Sequence, residues 1–529
     1  MGAGAVVVNG QTAGWVHLID PNRKWYNNGR LIALNAWIVL FLITSSTNGY
    51  DGSMMNGLQS LTQWESAFNN PTGSKLGLLN AIQNIGALSA YPFSPYMADG
   101  LGRRPTVFFG ALIMCAATAI QTASQSVGMF IGARFLIGFG LTFAAGAAPM
   151  LVTEIAYPPY RAPMTSLYNS LWFSGAIVAA WTTFGTFKIP NSWAWRVPSA
   201  LQGLPSVIQV ALVLFAPESP RWLVSKGREA QALKTLAYYH ADGNEQDPLV
   251  QYEFEEIKAA IDFDRNVAAN VGWSSFVSKA GNRKRMRIII AIAFFSQWSG
   301  NGLISYYLSS IFKSIGITSP TIQLLINGIL QIWNITIAIT AAFFVDKVGR
   351  RILFITSCLG MLLFFILTTI CSALYAKDGN TGAAHAVIAF IFLFNAAYAI
   401  AFTPLIVSYT VEILPYAIRA KGFTIFNFSI SLSLIFNQYV NPVALKKLQW
   451  KYYLVYVAWL VFETVYCYLF VVETKNRTLE ETAALFDGEE ALETIAHNAN
   501  AHLVTGDLRD ESSEKGSGSY VPTHELGKA

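Results

Sequence analysis

Two charged residues lie inside otherwise apolar stretches of the chain and can together bind and release a proton. Asp51 lies near the end of the first stretch, and Arg134 is the only charged residue of the fourth before Glu154. A lone charge within a membrane helix costs at least about 2.5–3.5 kcal/mol, so such residues are usually paired and functional. A carboxyl group beside a guanidinium group can alternate between an ion pair and a protonated, neutral acid. The alternative is that Asp51 is exposed to water at the end of its helix.

A second set of charged residues occurs twice along the chain, with nearly the same spacing in both copies. These residues, called the gate charges below, are Asp99, Arg103, Glu154, Arg161 and Glu218 in the first copy and Asp346, Arg350, Glu412, Arg419 and Glu473 in the second. Matched features at nearly one offset indicate two structural repeats in the same orientation. Anchoring of the chain by positive charge explains the arginines but not their repeated acidic partners. We therefore expect salt bridges where the two repeats meet, with simple anchoring as the alternative.

The composition indicates that much of the protein surface faces lipid. Of the 529 residues, 53% are hydrophobic and only 13% are charged, whereas soluble domains carry about 25% charged residues. The net charge of +5 is too small to indicate a nucleic-acid partner. The four cysteines lack metal-ligand spacing, so neither a metal site nor a disulfide framework is expected. Without a Walker motif or a nucleophile elbow, the sequence predicts neither an enzyme nor a cofactor.

Twelve stretches of the chain are long and apolar enough to cross a bilayer, which takes about 20 residues in a helix. They lie near residues 30–50, 75–98, 105–124, 128–150, 163–187, 196–216, 286–312, 320–345, 352–375, 383–411, 420–441 and 452–472. They are called helices 1 to 12 below. The predicted regions are an N-terminal tail at 1–29, a six-helix half at 30–216, a linker with short helices at 217–285, a second half at 286–472 and a largely disordered tail at 473–529.

The basic residues next to helix 7 predict the orientation of the chain. Arg283, Lys284, Arg285 and Arg287 end the linker, and such clusters favour the cytoplasmic side. With twelve crossings, both termini are then cytoplasmic, and we expect a multi-pass protein of the plasma membrane. Parallel six-helix repeats place a substrate between the halves, near the middle of the bilayer, and work by rocking one half against the other.

These motifs resemble the sugar-porter family of the major facilitator superfamily. The matching segments are Gly49-Tyr50-Asp51, the Gly-Arg-Arg runs at 102–104 and 349–351, Arg134 in helix 4, Trp195-Arg196, Pro217-Glu-Ser-Pro-Arg-Trp222 and Glu473-Thr-Lys-Asn-Arg-Thr-Leu-Glu480. The resemblance implies an all-α membrane protein of twelve helices in two six-helix halves. It also implies transport of a small-molecule sugar across the lipid bilayer. In proton-coupled relatives, the pair matching Asp51 and Arg134 couples sugar movement to a proton, so the proton is the expected coupling ion.

The resemblance also assigns residues that contact the sugar. Side-chain amides suit this role because they both donate and accept hydrogen bonds, as sugar hydroxyls do. The candidate contacts are Asn169 in helix 5, Gln297, Trp298, Asn301 and Tyr306 in helix 7, Asn334 in helix 8 and Asn427 in helix 11. Tyr307 is a further aromatic candidate for stacking on a pyranose ring. Amides can instead join helices to each other, and aromatic residues can serve only in packing.

Helix 7 departs from the usual family pattern and points to a particular branch. It reads Ser296-Gln-Trp-Ser-Gly-Asn-Gly302, with serine at the first glutamine position and glycine at the usual asparagine position. This variant resembles the fungal lactose permeases and cellodextrin transporters, which implies a disaccharide such as lactose or cellobiose. The alternatives are a symporter or facilitator of a hexose or pentose, and a sugar sensor that does not transport.

Overall fold

The computed structural model describes residues 7–8, 11–12, 16–19, 23–263, 273–414, 416–475 and 485–486. Within these ranges, the side chains of residues 7–8, 11–12, 16, 162–163, 165–166, 169–170, 263, 342–347, 416–417 and 420 are outside the description. Apart from an antiparallel pair of two-residue strands, Val7–Val8 and Gln11–Thr12, the described elements are helical. The tail predicted to be disordered lies almost entirely outside the described residues.

The first half contains six long helical segments. Their observed bounds are Gly29–Leu58 for helix 1, Ser74–Ala90 and Ser94–Gly100 for helix 2, Arg103–Ala123 for helix 3, Val127–Ile155 for helix 4, Pro158–Thr186 for helix 5, and Trp193–Leu201 and Leu204–Leu212 for helix 6. A short helix, Thr62–Ala67, follows helix 1, and 3-10 turns occupy Val16–Leu18 and Val213–Phe215.

The second half repeats this order. Its observed bounds are Ala280–Trp298 and Asn301–Ser314 for helix 7, Pro320–Val348 for helix 8, Arg350–Asp378 for helix 9, Thr381–Ala401 and Leu405–Ile413 for helix 10, Tyr416–Leu448 for helix 11 and Tyr453–Phe470 for helix 12. A 3-10 turn at Gln449–Tyr452 joins the last two.

Nine segments of the described residues are long and apolar enough to cross a membrane. The last of them, Lys421–Phe470, contains helices 11 and 12 together. Helices 2 and 5 are not among the nine segments. Since the nine segments contain the other ten helices, the structure accounts for all twelve predicted spans. Helix 2 falls outside because its main segment has only 17 residues.

Short helices of the linker cover one end of the bundle. They are Pro220–Ser225, Glu229–His240, Pro248–Phe263 and Ser275–Ser278. The start of helix 1 contacts this layer, since Asn28 Nδ2 donates to Asp242 Oδ1 at 3.0 Å. We call this end the linker face and the other end, where helix 1 finishes, the opposite face.

A buried histidine fastens the linker to helix 4. His240 lies between the Glu253 carboxylate, 2.7 Å from its Nδ1, and the carbonyl oxygen of Ile155, 3.2 Å from its Nε2. Glu253 also accepts a hydrogen bond from Arg161 at 3.2 Å. The linker is therefore attached to the turn between helices 4 and 5 by His240 and Glu253, whose side chains are only 2% and 4% exposed.

Glycines bring the helices of the first half into backbone contact. A Cβ atom on Gly49 would overlap the Trp172 carbonyl, and one on Gly175 would overlap the Ser46 carbonyl, so helices 1 and 5 touch directly. Between helices 2 and 4, a Cβ atom on Gly138 would overlap the Gln83 carbonyl. Small residues permit this close approach in membrane bundles, where van der Waals packing drives association.

Substitution of Gly138 by alanine should therefore destabilise the first half. The added methyl group meets backbone atoms, which cannot rotate away, and overpacking of this kind costs about 1–3 kcal/mol. Gly132 on the same helix is the matched control, since its Cβ would meet nothing within 4 Å. We expect Gly138→Ala, but not Gly132→Ala, to lower the thermal unfolding temperature of the detergent-purified protein. Equal unfolding temperatures for the two variants would contradict the proposed contact.

Candidate functional site

A cavity of about 330 Å³ lies between the two halves. Helices 1, 2, 4 and 5 contribute its walls from the first half, and helices 7, 8, 10 and 11 contribute from the second. Its polar lining residues are Asn48, Ser53, Asn80, Gln83, Asn84, Arg134, Gln297, Asn301, Ser305, Tyr306, Gln331, Asn334, Asn395, Tyr398, Thr403 and Gln438. Ligand sites usually measure about 300–1,000 Å³ and combine apolar walls with a few polar groups. This cavity is small and unusually rich in amides.

Amides on one face of helix 2 contribute to this lining. Asn80, Gln83 and Asn84 stand at positions i, i+3 and i+4, which share one side of a helix, and Asn84 Nδ2 donates to Gln438 Oε1 across the interface at 2.7 Å. These residues were not among the candidates predicted from the sequence. Their helical spacing within an apolar stretch was the signal that could have found them.

Four of the predicted sugar contacts line the cavity together. Gln297, Asn301 and Tyr306 come from helix 7, and Asn334 comes from helix 8. Asn301 Nδ2 donates to the Ser296 carbonyl at 3.0 Å. The buried amide oxygens of Asn301 and Asn334 accept no hydrogen bond from any described residue. Both oxygens can therefore accept hydrogen bonds from the hydroxyls of a ligand.

Two other predicted contacts, Trp298 and Asn427, are not among the residues that line the cavity. The indole of Trp298 donates to the Ser433 carbonyl at 3.0 Å and packs on Phe436, with ring centroids 4.8 Å apart, so it turns away from the cavity. Asn427 does not line the cavity either. In the conformation described, the side chain of Trp298 is thus engaged in helix packing, and Asn427 lies apart from the cavity. The side chain of Asn169 lies outside the described residues. Tyr307 is fully buried, and its hydroxyl donates to the Gln438 carbonyl.

A residue of helix 11 occupies the space left by the unusual glycine of helix 7. A Cβ atom on Gly302 would overlap the side-chain amide of Asn437. That amide donates instead to the Gln297 carbonyl at 2.7 Å. Asn437 therefore helps to hold the backbone at Gln297, a role that the sequence of helix 7 alone could not reveal.

Asp51 and Arg134 form the predicted pair inside the first half. Arg134 Nη1 lies 3.3 Å from Asp51 Oδ1, and the side chains are 2% and 0% exposed. Gln202 Nε2 also donates to Asp51 Oδ1, at 2.7 Å. Asp51 is thus not exposed at a helix end, which removes the alternative considered from the sequence. Gln202, at the interruption of helix 6, was not predicted because its approach depends on how the helices pack.

Arg134 connects the buried carboxyl group to the cavity. Its Nε donates to the Leu79 carbonyl at 3.0 Å, and its Nη2 donates to Gln83 Oε1 at 2.6 Å. Both Arg134 and Gln83 line the cavity. A change of charge at Asp51 can therefore reach the cavity wall through one guanidinium group.

The gate charges of the first half bind each other at the linker face. Arg103 lies 3.2 Å from Glu154 and 3.4 Å from Asp99. Glu218 accepts from the backbone N–H groups of Arg103 and Arg104, each at 3.2 Å, which caps the start of helix 3. Burial raises the pKa of Glu218, and these backbone donors lower it by a smaller amount. Acidification at this face therefore neutralises Glu218 before it neutralises an ordinary exposed glutamate.

The second half repeats the same arrangement. Arg350 Nη2 lies 3.1 Å from Glu412. Glu473 accepts from the backbone N–H groups of Arg350 at 2.9 Å and Arg351 at 3.0 Å, which caps the start of helix 9. These described contacts join helices of one half to each other. They do not bridge the two halves as the sequence led us to expect.

Three gate charges behave differently from this pattern. Arg161 pairs with Glu253 of the linker and not with Glu154, because the linker helix Pro248–Phe263 lies against the turn that holds it. Arg419 donates to the Leu414 carbonyl at 3.3 Å. The side chain of Asp346 lies outside the described residues.

Side-chain contacts between the halves occur at the opposite face. Gln59 Nε2 donates to the Tyr306 carbonyl at 2.9 Å, and Ser309 Oγ donates to the Gln59 carbonyl at 3.2 Å. Lys313 pairs with Glu65 nearby. The cavity extends in the other direction, towards the linker face, along Tyr398, Phe402 and Thr403 of helix 10. The conformation is closed at the opposite face.

The family model described as "Sugar (and other) transporter" matches residues 37–486. The chain belongs to this family. Because the match covers both six-helix halves, from within helix 1 to beyond the end of helix 12, the protein is a sugar transporter of the major facilitator superfamily and not an enzyme. The predicted all-α fold with twelve membrane helices is confirmed.

Individual relatives agree with this family assignment. The transporter is 28% identical over 475 residues to a high-affinity glucose transporter of Kluyveromyces lactis, with 84% of each chain covered. It is 28% identical over 494 residues to a quinate permease of Neurospora africana, covering 86% of this chain and 88% of the relative.

Solved structures show the same fold. The xylose transporter XylE from E. coli, in an inward open conformation, superimposes with a TM-score of 0.71 at 23% identity, covering 86% of this chain and 100% of XylE. Another structure of XylE, described as a proton:xylose symporter bound to 6-bromo-6-deoxy-D-glucose, gives a TM-score of 0.65.

Proposed function

We propose that the transporter imports a monosaccharide together with a proton. The observation that carries this proposal is the connection from the buried Asp51–Arg134 pair to the amide-lined cavity, since Arg134 contacts Asp51 and forms part of the cavity wall. Protonation of Asp51 would release Arg134, and Arg134 would then adjust its contact with Gln83 at the cavity. Sugar binding and proton binding are coupled through this one side chain.

A monosaccharide fits the proposal better than the disaccharide suggested by helix 7. The cavity of about 330 Å³ is at the small end of the range for ligand sites. The relatives include a glucose transporter and a xylose transporter. Substitutions in helix 7 do not by themselves indicate a disaccharide, because Asn437 of helix 11 fills the position beside Gly302.

In the proposed orientation, the protein lies in the plasma membrane, with the linker face and both termini on the cytoplasmic side. The basic end of the linker supports this orientation through the positive-inside rule. The described conformation, closed at the opposite face, is then the inward-facing one. The gate charges would hold the helices of each half together while the cytoplasmic side is open.

The proposal is tested with the purified transporter in sealed vesicles. Uptake of radiolabelled D-glucose, D-xylose, lactose, cellobiose and quinate is measured with and without an imposed pH gradient, together with the pH of the medium. We expect a monosaccharide to accumulate only when the outside is acidic, and its addition to make a weakly buffered medium more alkaline. Accumulation of lactose or cellobiose alone would restore the disaccharide assignment. Absence of any saccharide movement would overturn the proposal.

A further inference from the structure

A second buried carboxyl group lies outside the sugar cavity, in helix 12. The side chain of Glu463 is 0% exposed, and it does not line the cavity. Among the described residues, its hydrogen-bonding neighbours are Ser299 and Cys358, and neither carries a positive charge. An ionised carboxylate without a cation is strongly disfavoured at such a position.

The hydrogen bonds around Glu463 fit a neutral acid. Ser299 Oγ lies 3.0 Å from Glu463 Oε1 and 2.9 Å from Oε2, and it also contacts the Phe295 carbonyl. A hydroxyl group has one proton, and a carbonyl oxygen can only accept. With the serine proton directed to Phe295, the contact between Ser299 and Glu463 is a hydrogen bond only when Glu463 supplies a proton of its own.

The other titratable groups near Glu463 come from three helices. Cys358 of helix 9 has its sulfur 3.6 Å from Glu463 Oε1, and Cys467 of helix 12 has its sulfur 3.8 Å from that of Cys358. Tyr398 of helix 10 also faces this carboxyl group, while its hydroxyl donates to the Ser296 carbonyl at 2.8 Å. Thiols and phenols are neutral near neutral pH. The neighbours therefore offer no charge that would hold Glu463 ionised.

Ser299 connects this carboxyl group to the interruption of helix 7. The first segment of the helix ends at Trp298, and Gly300 adopts a left-handed conformation with φ of 103° before the second segment begins at Asn301. Gln297 and Asn301, on either side of the interruption, both line the sugar cavity. The same short stretch of backbone thus contacts Glu463 on one side and the sugar site on the other.

We propose that Glu463 is a second proton-binding residue of the transport cycle, and that its bound proton stabilises the interruption of helix 7 in the conformation described. A hydronium ion gives one proton to a carboxylate oxygen of Glu463 and becomes water, and no other covalent bond changes. When Glu463 ionises it can only accept, so the Ser299 hydroxyl turns its proton from the Phe295 carbonyl to the carboxylate, and the helix 7 residues that face the sugar move. This proposal rests on the proposed function as a transporter, but not on the identity of its sugar.

Infrared difference spectroscopy on the purified full-length protein tests whether Glu463 binds a proton. We expect the carbonyl-stretch absorption of a protonated carboxyl group at neutral pH in the wild type, its loss in Glu463→Gln and its retention in the control Glu245→Gln, where an exposed linker residue is changed. Should Glu463→Gln fail to fold, Glu463→Asp provides a second variant in which the band shifts in frequency. Identical spectra for the wild type and the Glu463 variants would overturn the proposal, whether or not any sugar is transported.

Sugar exchange tests whether that proton controls helix 7. Because Asp51 also titrates, the comparison uses Asp51→Asn against Asp51→Asn/Glu463→Gln, with the vesicle-panel sugar that is transported fastest. Beyond the midpoint of a single ionisation, the fraction protonated changes roughly tenfold per pH unit. We expect the rate of sugar exchange by Asp51→Asn to change with pH in this way. The rate of sugar exchange by the double variant should vary less than about twofold over the same pH range. Superimposable pH profiles would show that Glu463 is a structural acid only and would overturn its role in the cycle.

Discussion

Replacement of Asp51 by asparagine should abolish uphill accumulation of sugar while sugar exchange continues. The asparagine keeps the size of the side chain and can still contact Arg134, but it cannot bind or release a proton. One proton supplies about 2.3 kcal/mol per 100 mV and about 1.4 kcal/mol per pH unit, enough for a sugar gradient of roughly 500-fold at 100 mV and one pH unit. In the variant, the accumulation ratio should fall to about 1 under the same gradients, a change of roughly 500-fold.

The measurement is accumulation of the labelled sugar in vesicles with an imposed pH gradient and membrane potential. Exchange of labelled for unlabelled sugar across the same vesicles shows that the variant is folded and can still reorient. Asp378→Asn is a control, since Asp378 is an exposed acid at the end of helix 9 and belongs neither to the buried pair nor to the gate charges. Full accumulation by Asp51→Asn would show that Asp51 is not the coupling group.

Removal of the two amides at Gln297 and Asn334 should weaken sugar binding strongly. Both residues line the cavity, and the Asn334 oxygen accepts no hydrogen bond from the described residues. Loss of a buried hydrogen bond to a sugar hydroxyl costs about 1.5 kcal/mol. The double variant Gln297→Ala/Asn334→Ala should therefore raise the half-saturation concentration by roughly 100-fold.

Asn427→Ala is the matched control for this variant, because it removes the same kind of group from a helix position that does not line the cavity. The half-saturation concentration for the sugar should change little in that variant. Equal effects of Asn427→Ala and the double variant would place the sugar somewhere other than this cavity. Direct binding to the purified protein separates a loss of affinity from a slower transport cycle.

The sequence contained enough information to predict the architecture. Spans of apolar residues are set by bilayer thickness, which is a property of the solvent and not of the tertiary fold. The repeated motifs around Arg103 and Arg350 defined two equivalent halves, and the structure places each arginine beside an acid of its own half, Glu154 or Glu412. Gln297, Asn301 and Tyr306, which the family resemblance assigned as sugar contacts, line one cavity.

Contacts that depend on the packing of distant segments could not be predicted. Gln202 reaches Asp51 because helix 6 is interrupted beside helix 1. Arg161 is paired with the linker because a buried cluster around His240 holds Glu253 against it. Glu463 escaped notice because a single acid in an apolar helix gives no indication of which neighbours surround it.

The backbone contacts at Gly49 and Gly175 have a consequence for how the carrier can be stopped. Helices 1 and 5 touch so closely that they can hardly slide past each other, whereas helix 7 is interrupted at Gly300, between residues that face the sugar. Helices 1 and 5 then move as one body, and helix 7 can bend at its interruption. A compound bound next to Ser299, on the side of Glu463, would inhibit the transporter without competing with the sugar. Such a non-competitive inhibitor would lower the maximal velocity of transport and leave the apparent affinity for sugar unchanged.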